Sequence, residues 1–118
     1  QVPLTVGDKE FFIDLLFYHL KLRCYVVIEL KAVDFIPEFA GKLSFYLSAV
    51  NDILAHSTDN PTIGLMICKS KNHFVAEYAL KGINQPIGVS EYELTKHFPK
   101  DFKGSLPTIE EIEAELEE

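Results

Sequence analysis

The chain has 118 residues, of which 47% are hydrophobic and 12% aromatic, so it can build the core of one domain and is not a disordered segment. Its net charge is −7, but six glutamates lie in the last nine residues and the remainder carries −1, which argues against strong non-specific binding of nucleic acid by charge alone. The sequence shows neither a charged-then-apolar leader nor a run of about 18 apolar residues, so it predicts no signal peptide and no membrane span.

The first half of the chain contains three strand-like segments. A weak strand is predicted at 2–6, with a turn at Gly7 and Asp8, followed by strong strands at 11–19 and 24–31. Both strong segments are β-branched and aromatic, and both are apolar on two faces, which is typical of a sheet covered on both sides. The short link LKLR between them predicts an antiparallel hairpin.

The second half predicts alternating helices and strands. Pro37 is expected to open a helix of about 20 residues, because apolar residues then recur at helical spacing. After a turn cluster, the pattern predicts a strand at 62–68, a short helix at 73–80 and a strand at 85–89. The resulting mixed sheet places a crossover helix after the third strand, which should lead right-handedly to a parallel fourth strand.

The end of the chain is predicted to form a separate acidic helix. A capping box at Thr108 and Glu111 predicts an acidic C-terminal helix over 107–118, distinct from a main domain at 1–106. The two cysteines, Cys24 and Cys68, are isolated within apolar segments. They are therefore interpreted as small buried side chains in a reducing compartment, the cytoplasm, rather than as a disulfide.

One carboxylate interrupts the first strong strand. With Lys21 and Leu22 as a two-residue loop, counting along the hairpin places Asp14 opposite Glu29, and Lys31 points to the same face. Two opposed carboxylates repel each other, so a cation between them is expected. Hard oxygen ligands with room for water favour Mg²⁺ or Mn²⁺ over zinc. A slip of one residue would put Asp14 on the opposite face and remove this site.

A structural alternative uses the same three residues. Asp14 and Lys31 could form a buried or edge ion pair, with Glu29 solvated at the end of its strand. No metal would then be needed.

The chain also resembles a known family over nearly its whole length, from about residue 6 to the acidic tail. Five segments are similar, in the same order, to the C-terminal domain of YhcG-like proteins, members of the PD-(D/E)xK nuclease superfamily: FFIDLLFYH, CYVVIELK, PEFAGKLSFYLSAVND, NPTIGLMICKSKN and PIGVSEYEL. The resemblance implies a restriction-endonuclease-like α/β fold, a mixed sheet flanked by helices, and metal-dependent hydrolysis of phosphodiester bonds in DNA. It implies Asp14 as the metal-binding acid, and Glu29 and Lys31 as the E-x-K motif with Lys31 catalytic. The Leu30 carbonyl, between these two, is a further candidate metal ligand.

The resemblance also has implications for the helix predicted after Pro37 and for segments of the family that lie upstream of this chain. RecB-like relatives carry a Q-x-x-x-Y motif on the helix after the E-x-K strand, and here Lys42 and Tyr46 have that spacing. Lys42 departs from the glutamine but could meet a phosphate as a point charge; alternatively Tyr46 belongs to the core and Lys42 is simply solvated. An upstream helix and a separate N-terminal domain are expected to be absent from this chain.

Two expectations concern partners. A homodimer is expected, because dimers are common among related nucleases. The competing hypothesis for function is a catalytically inactive nuclease-like fold that serves DNA binding or protein assembly in a larger complex.

Overall fold

The protein is described by a computed structural model that covers residues 1–92. The predicted acidic helix at 107–118 lies outside the described residues. The elements in chain order are β1 (Val2–Val6), β2 (Lys9–Ile13), β3 (Leu15–His19), β4 (Cys24–Asp34), α1 (Pro37–Ile53), β5 (Ile63–Ser70), α2 (His73–Leu80) and β6 (Ile87–Glu91). Within this part of the chain, no helix has the length and apolar character needed to cross a membrane.

The strands form two sheets. Strands β1 and β2 pair as an antiparallel hairpin, and the other four form a sheet of order β3-β4-β5-β6. Strand β3 is antiparallel to β4, whereas β5 is parallel to both β4 and β6. The predicted α/β class with a mixed sheet flanked by helices is confirmed, as is the parallel pairing across the helical crossover.

The segment predicted as one strand at 11–19 is in fact two strands. Asp14 is a bend between β2 and β3, and the two strands belong to different sheets. The continuous apolar run concealed this division, because both halves are β-branched or aromatic and differ only in what they pack against.

The hairpin of β3 and β4 has the predicted register. It pairs His19 with Cys24 and Leu15 with Ile28. The loop differs from the prediction, since residues 20–23 all lie outside the strands and the last of them has a φ of 53°. A loop that is longer by one residue on each side leaves every residue pair of the hairpin unchanged, so the predicted register is correct although the predicted loop is too short.

The remaining bounds differ from the predictions by a few residues. Strand β4 continues to Asp34 rather than residue 31, and β5 continues to Ser70, because the two strands stay paired after a shift in register beyond Lys31. Helix α1 has 17 residues rather than about 20. Helix α2 has the predicted bounds, and β6 starts and ends two residues later than predicted.

Helix α1 covers one face of the four-stranded sheet. It packs against β4, β5 and β6, and α2 packs against α1. Gly64 allows this close approach, because a Cβ at that position would lie 3.1 Å from atoms of both Leu43 and Leu47. In the parallel register Glu29 pairs with Met66, two positions beyond Gly64, so Glu29 projects from the same face toward α1.

Both cysteines are buried and free, as predicted. Burial raises the pKa of the Cys68 thiol to about 11, which makes it unreactive at neutral pH.

Candidate active site

Two hydrogen bonds join Asp14 to the strand that carries Glu29. The backbone N–H of Asp14 donates to Glu29 Oε2 at 2.9 Å, and the N–H of Leu30 donates to Asp14 Oδ2 at 3.0 Å. These bonds occur at the position directly beyond the Leu15–Ile28 pair of the hairpin ladder. The chain can therefore turn into the other sheet at Asp14 without leaving these two amides unpaired.

Glu29 is a deeply buried carboxylate, only 2% exposed. Burial raises its pKa above the ordinary value, and the negative charge of Asp14 raises it further. The hydrogen bond from the Asp14 amide and the nearby charges of Lys31 and Lys42 act in the opposite direction but do not cancel the effect. The folded chain thus maintains an electrostatically unfavourable carboxylate, which a cation would stabilise.

The structural alternative for these residues is wrong for Glu29, which is buried rather than solvated at a strand end. Nor do Asp14 and Lys31 form an ion pair, since among residues 1–92 the basic nitrogen and carboxylate oxygen of two side chains come within 4.0 Å only at His73 and Glu77. The Nζ of Lys31 instead lies 5.3 Å from the ring centroid of Phe39.

Tyr46 and Lys42 lie on helix α1 beside this pair. Tyr46 is buried in the core, and its hydroxyl donates to the backbone carbonyl of Phe12 at 3.2 Å. Burial, and then the charges of Glu29 and Asp14, raise its pKa. The exposed Lys42 has its Nζ 5.7 Å from the Tyr46 ring centroid. Tyr46 therefore is a core residue, as one interpretation of the helix predicted, and it also borders the site.

An open cleft of about 910 Å³ passes over these residues. Most of its wall comes from β2, the end of β4 and α1; the lining residues are Gln1, Glu10, Phe11, Phe12, Asp14, Leu30, Lys31, Ala32, Val33, Lys42 and Tyr46. Glu10 and Phe12 were missed by the sequence reasoning. Glu10, Phe12 and Asp14 are spaced two residues apart, so they share one face of an extended chain. This spacing would have indicated Glu10 and Phe12 if β2 had been recognised as a separate strand.

Comparison with known proteins decides the family. Residues 1–107 match the family described as the YhcG PDDEXK nuclease domain. The chain is also 36% identical over 94 residues to a protein of Escherichia coli (strain K12) named "Putative nuclease YhcG". The chain belongs to the YhcG PDDEXK nuclease domain family.

The aligned stretch covers 80% of this chain and 25% of the Escherichia coli protein, so the chain spans about a quarter of the length of that relative. No solved structure matches the chain at a significant level. The predicted resemblance is confirmed, and the mixed sheet is consistent with a PDDEXK nuclease fold.

PDDEXK nucleases generally depend on a divalent metal. Within residues 1–92, no group of three or more His, Cys, Asp or Glu side chains converges. Mg²⁺ needs only one or two carboxylates, because it keeps several of its waters. No donor in the described part of the chain bonds Asp14 Oδ1 or Glu29 Oε1, so each carboxylate retains an oxygen for a cation.

Proposed function

We propose that this domain is a nuclease that hydrolyses phosphodiester bonds in DNA with the help of Mg²⁺ or Mn²⁺, using Asp14, Glu29 and Lys31. One observation carries the proposal: Glu29, a buried carboxylate with a raised pKa, lies beside Asp14, which lines an open cleft. A purely structural role would not require a repelling pair at this position. Membership of a nuclease family gives the chemistry that such a pair would serve.

Asp14 and Glu29 would hold the metal. Asp14 Oδ1 and Glu29 Oε1, which no donor among residues 1–92 bonds, are suitable ligands, and the hydrogen bonds to the other two oxygens would keep both carboxylates in place. The Leu30 carbonyl is a further candidate: the N–H of Leu30 is directed to Asp14, and the N–H and C=O of one strand residue face the same side. When bound, the cation would supply Lewis-acid stabilisation of phosphate charge and activation of water.

The two lysines of the cleft would act on the phosphate. Lys31 lies close enough to Glu29 to lower its pKa, and its ammonium lies over the ring of Phe39, which restricts the positions available to it. In this role the ammonium would stabilise the negative charge that develops on the phosphoryl oxygens during hydrolysis. Lys42 is more exposed and would bind a neighbouring phosphate as a point charge, with Tyr46 supporting it.

Cleavage assays test the assignment. Plasmid and branched DNA are incubated with Mg²⁺ and the full chain, carrying either Asp14→Asn or Lys31→Met. Each change is expected to reduce the rate by about 100-fold or more, the usual effect of removing one electrostatic stabiliser of a transition state. Asn retains a side-chain oxygen to accept from the Leu30 amide, so the fold should be preserved.

Lys21→Met is the matched control, because Lys21 lies in the exposed loop at the other end of the hairpin. This variant should cleave DNA at the wild-type rate. Equal cleavage by wild type, Asp14→Asn and Lys31→Met would refute the assignment. Calorimetry with Mg²⁺ and Mn²⁺ separates the competing hypothesis of an inactive fold, which predicts no metal uptake at millimolar concentration. The homodimer stays a prediction, which analytical ultracentrifugation would check.

A further inference from the structure

The hairpin β1–β2 has one face in the core and one in the cleft. Leu4 and Ile13 are buried in the core, and the partly buried Phe11 packs against the rings of Phe45 and Tyr46 and also borders the cleft. The alternate residues of β2 point the other way, so that Glu10 and Phe12 line the cleft together with Asp14.

Phe12 is a large apolar side chain left in water beside a charged site. It is 47% exposed although its neighbours Phe11 and Ile13 are covered. Along a strand, two residues span about 7 Å, which puts Phe12 within one nucleotide of Asp14. Its backbone is well held, because its carbonyl accepts from the Tyr46 hydroxyl and its strand pairs with β1. An aromatic ring on a rigid support loses little entropy when it binds a flat partner.

The charges of the cleft are divided between its walls. Lys31 and Lys42 lie on β4 and α1, whereas Glu10 and Phe12 lie on the hairpin. The phosphate backbone of a nucleic acid would therefore be attracted toward the lysines and repelled by Glu10. A strand bound in this way would have its bases directed toward Phe12. In an intact duplex each base is paired and stacked inside the helix, so its face is not available to a side chain at the cleavage site.

We propose that Phe12 stacks on an unpaired nucleobase next to the scissile phosphate, and that the domain therefore prefers substrates with unpaired bases at the site of cleavage. This inference rests on the proposed nuclease function and names its substrate class. Base stacking on an aromatic ring is indifferent to sequence, since every base has a π-face. The preference concerns the pairing state of the nucleotide rather than its identity.

Binding of a fluorescent base tests the proposal without relying on cleavage. The full chain with Asp14→Asn is titrated with a single-stranded oligonucleotide that contains 2-aminopurine, whose emission is quenched on stacking, and with the same strand in a complete duplex. Phe12→Leu is expected to weaken single-strand binding by about 5-fold to 150-fold, the effect of removing a stacked aromatic, and to abolish the quenching. Phe12→Trp should retain both, and duplex binding should change little.

Phe74→Leu is the matched control, because Phe74 is a more exposed phenylalanine on α2 and does not line the cleft. Circular dichroism verifies that each variant is folded. The proposal is overturned if Phe12→Leu binds the single strand as tightly as its parent, if duplex binding falls equally, or if the parent binds no single strand at all. Failure of the nuclease function itself would show separately, as the absence of DNA cleavage by the wild-type chain with Mg²⁺ or Mn²⁺.

Discussion

Replacing Gly64 by alanine is expected to push helix α1 away from the sheet and so disturb the site that the helix borders. An alanine Cβ would lie 3.1 Å from Cγ and Cδ2 of Leu43 and 3.1 Å from Cδ1 of Leu47, closer than ordinary van der Waals contact. Both leucines are fully buried, so they have little free space to enter. The helix or the strand must therefore move by a few tenths of an ångström.

The size of the effect follows from two opposing contributions. Overpacking a core costs about 1–3 kcal/mol. Alanine is otherwise better than glycine inside a strand by roughly 0.5–1 kcal/mol. The net expectation is a loss of about 1 kcal/mol in the free energy of unfolding, which urea denaturation would show as a lower midpoint at an unchanged slope. Lys42 and Tyr46 adjoin the displaced leucines, so any nuclease activity should fall as well.

Gly88→Ala is the control for this prediction. Gly88 lies on β6, the strand next to β5, and of the atoms in the described residues a Cβ there meets only Leu65 Cδ1, at 3.6 Å, an ordinary contact. This variant should be as stable as wild type or slightly more stable, because the strand gains without overpacking. If Gly64→Ala were as stable as Gly88→Ala, the argument that Gly64 sets the distance between helix and sheet would be refuted.

Two further predictions concern buried polar groups. The pKa of Glu29 is raised in the folded state, so the metal-free protein should lose stability as the pH rises from 4.5, the ordinary pKa of a glutamate, through the raised pKa. Glu29→Gln should lack this decline. Identical urea midpoints for the two proteins at every pH between acid and neutral would contradict the prediction. Asn51 Oδ1 accepts from both the amide and the hydroxyl of the buried Thr62, at 3.0 and 2.7 Å. Asn51→Ala leaves two buried donors unpaired and should lower the free energy of unfolding by about 2–4 kcal/mol. Thr62→Val removes only one hydrogen bond and should lower it by about 1 kcal/mol. Equal losses in thermal or urea unfolding would show that the shared acceptor is unimportant.

Much of the fold was determined by local sequence patterns. The spacing of apolar residues after Pro37 is that of a helix, and the short link between two apolar strands allows an antiparallel hairpin. The register of that hairpin was predictable because a strand repeats every two residues, and a loop error that is symmetrical leaves the pairs unchanged. Asp14 could therefore be placed opposite Glu29, one position beyond the Leu15–Ile28 pair, without a structure.

Only the tertiary structure decided how the segment at 11–19 is divided. The bend at Asp14 depends on a hydrogen bond to Glu29, a residue 15 positions away, and no local pattern reports such a partner. The same division directs Phe12 and Glu10 into the cleft, because β2 packs on helix α1 with one face only. Local periodicity identifies apolar faces, but which surfaces meet, and hence which side chains are left beside the two carboxylates, is set by packing over the whole domain.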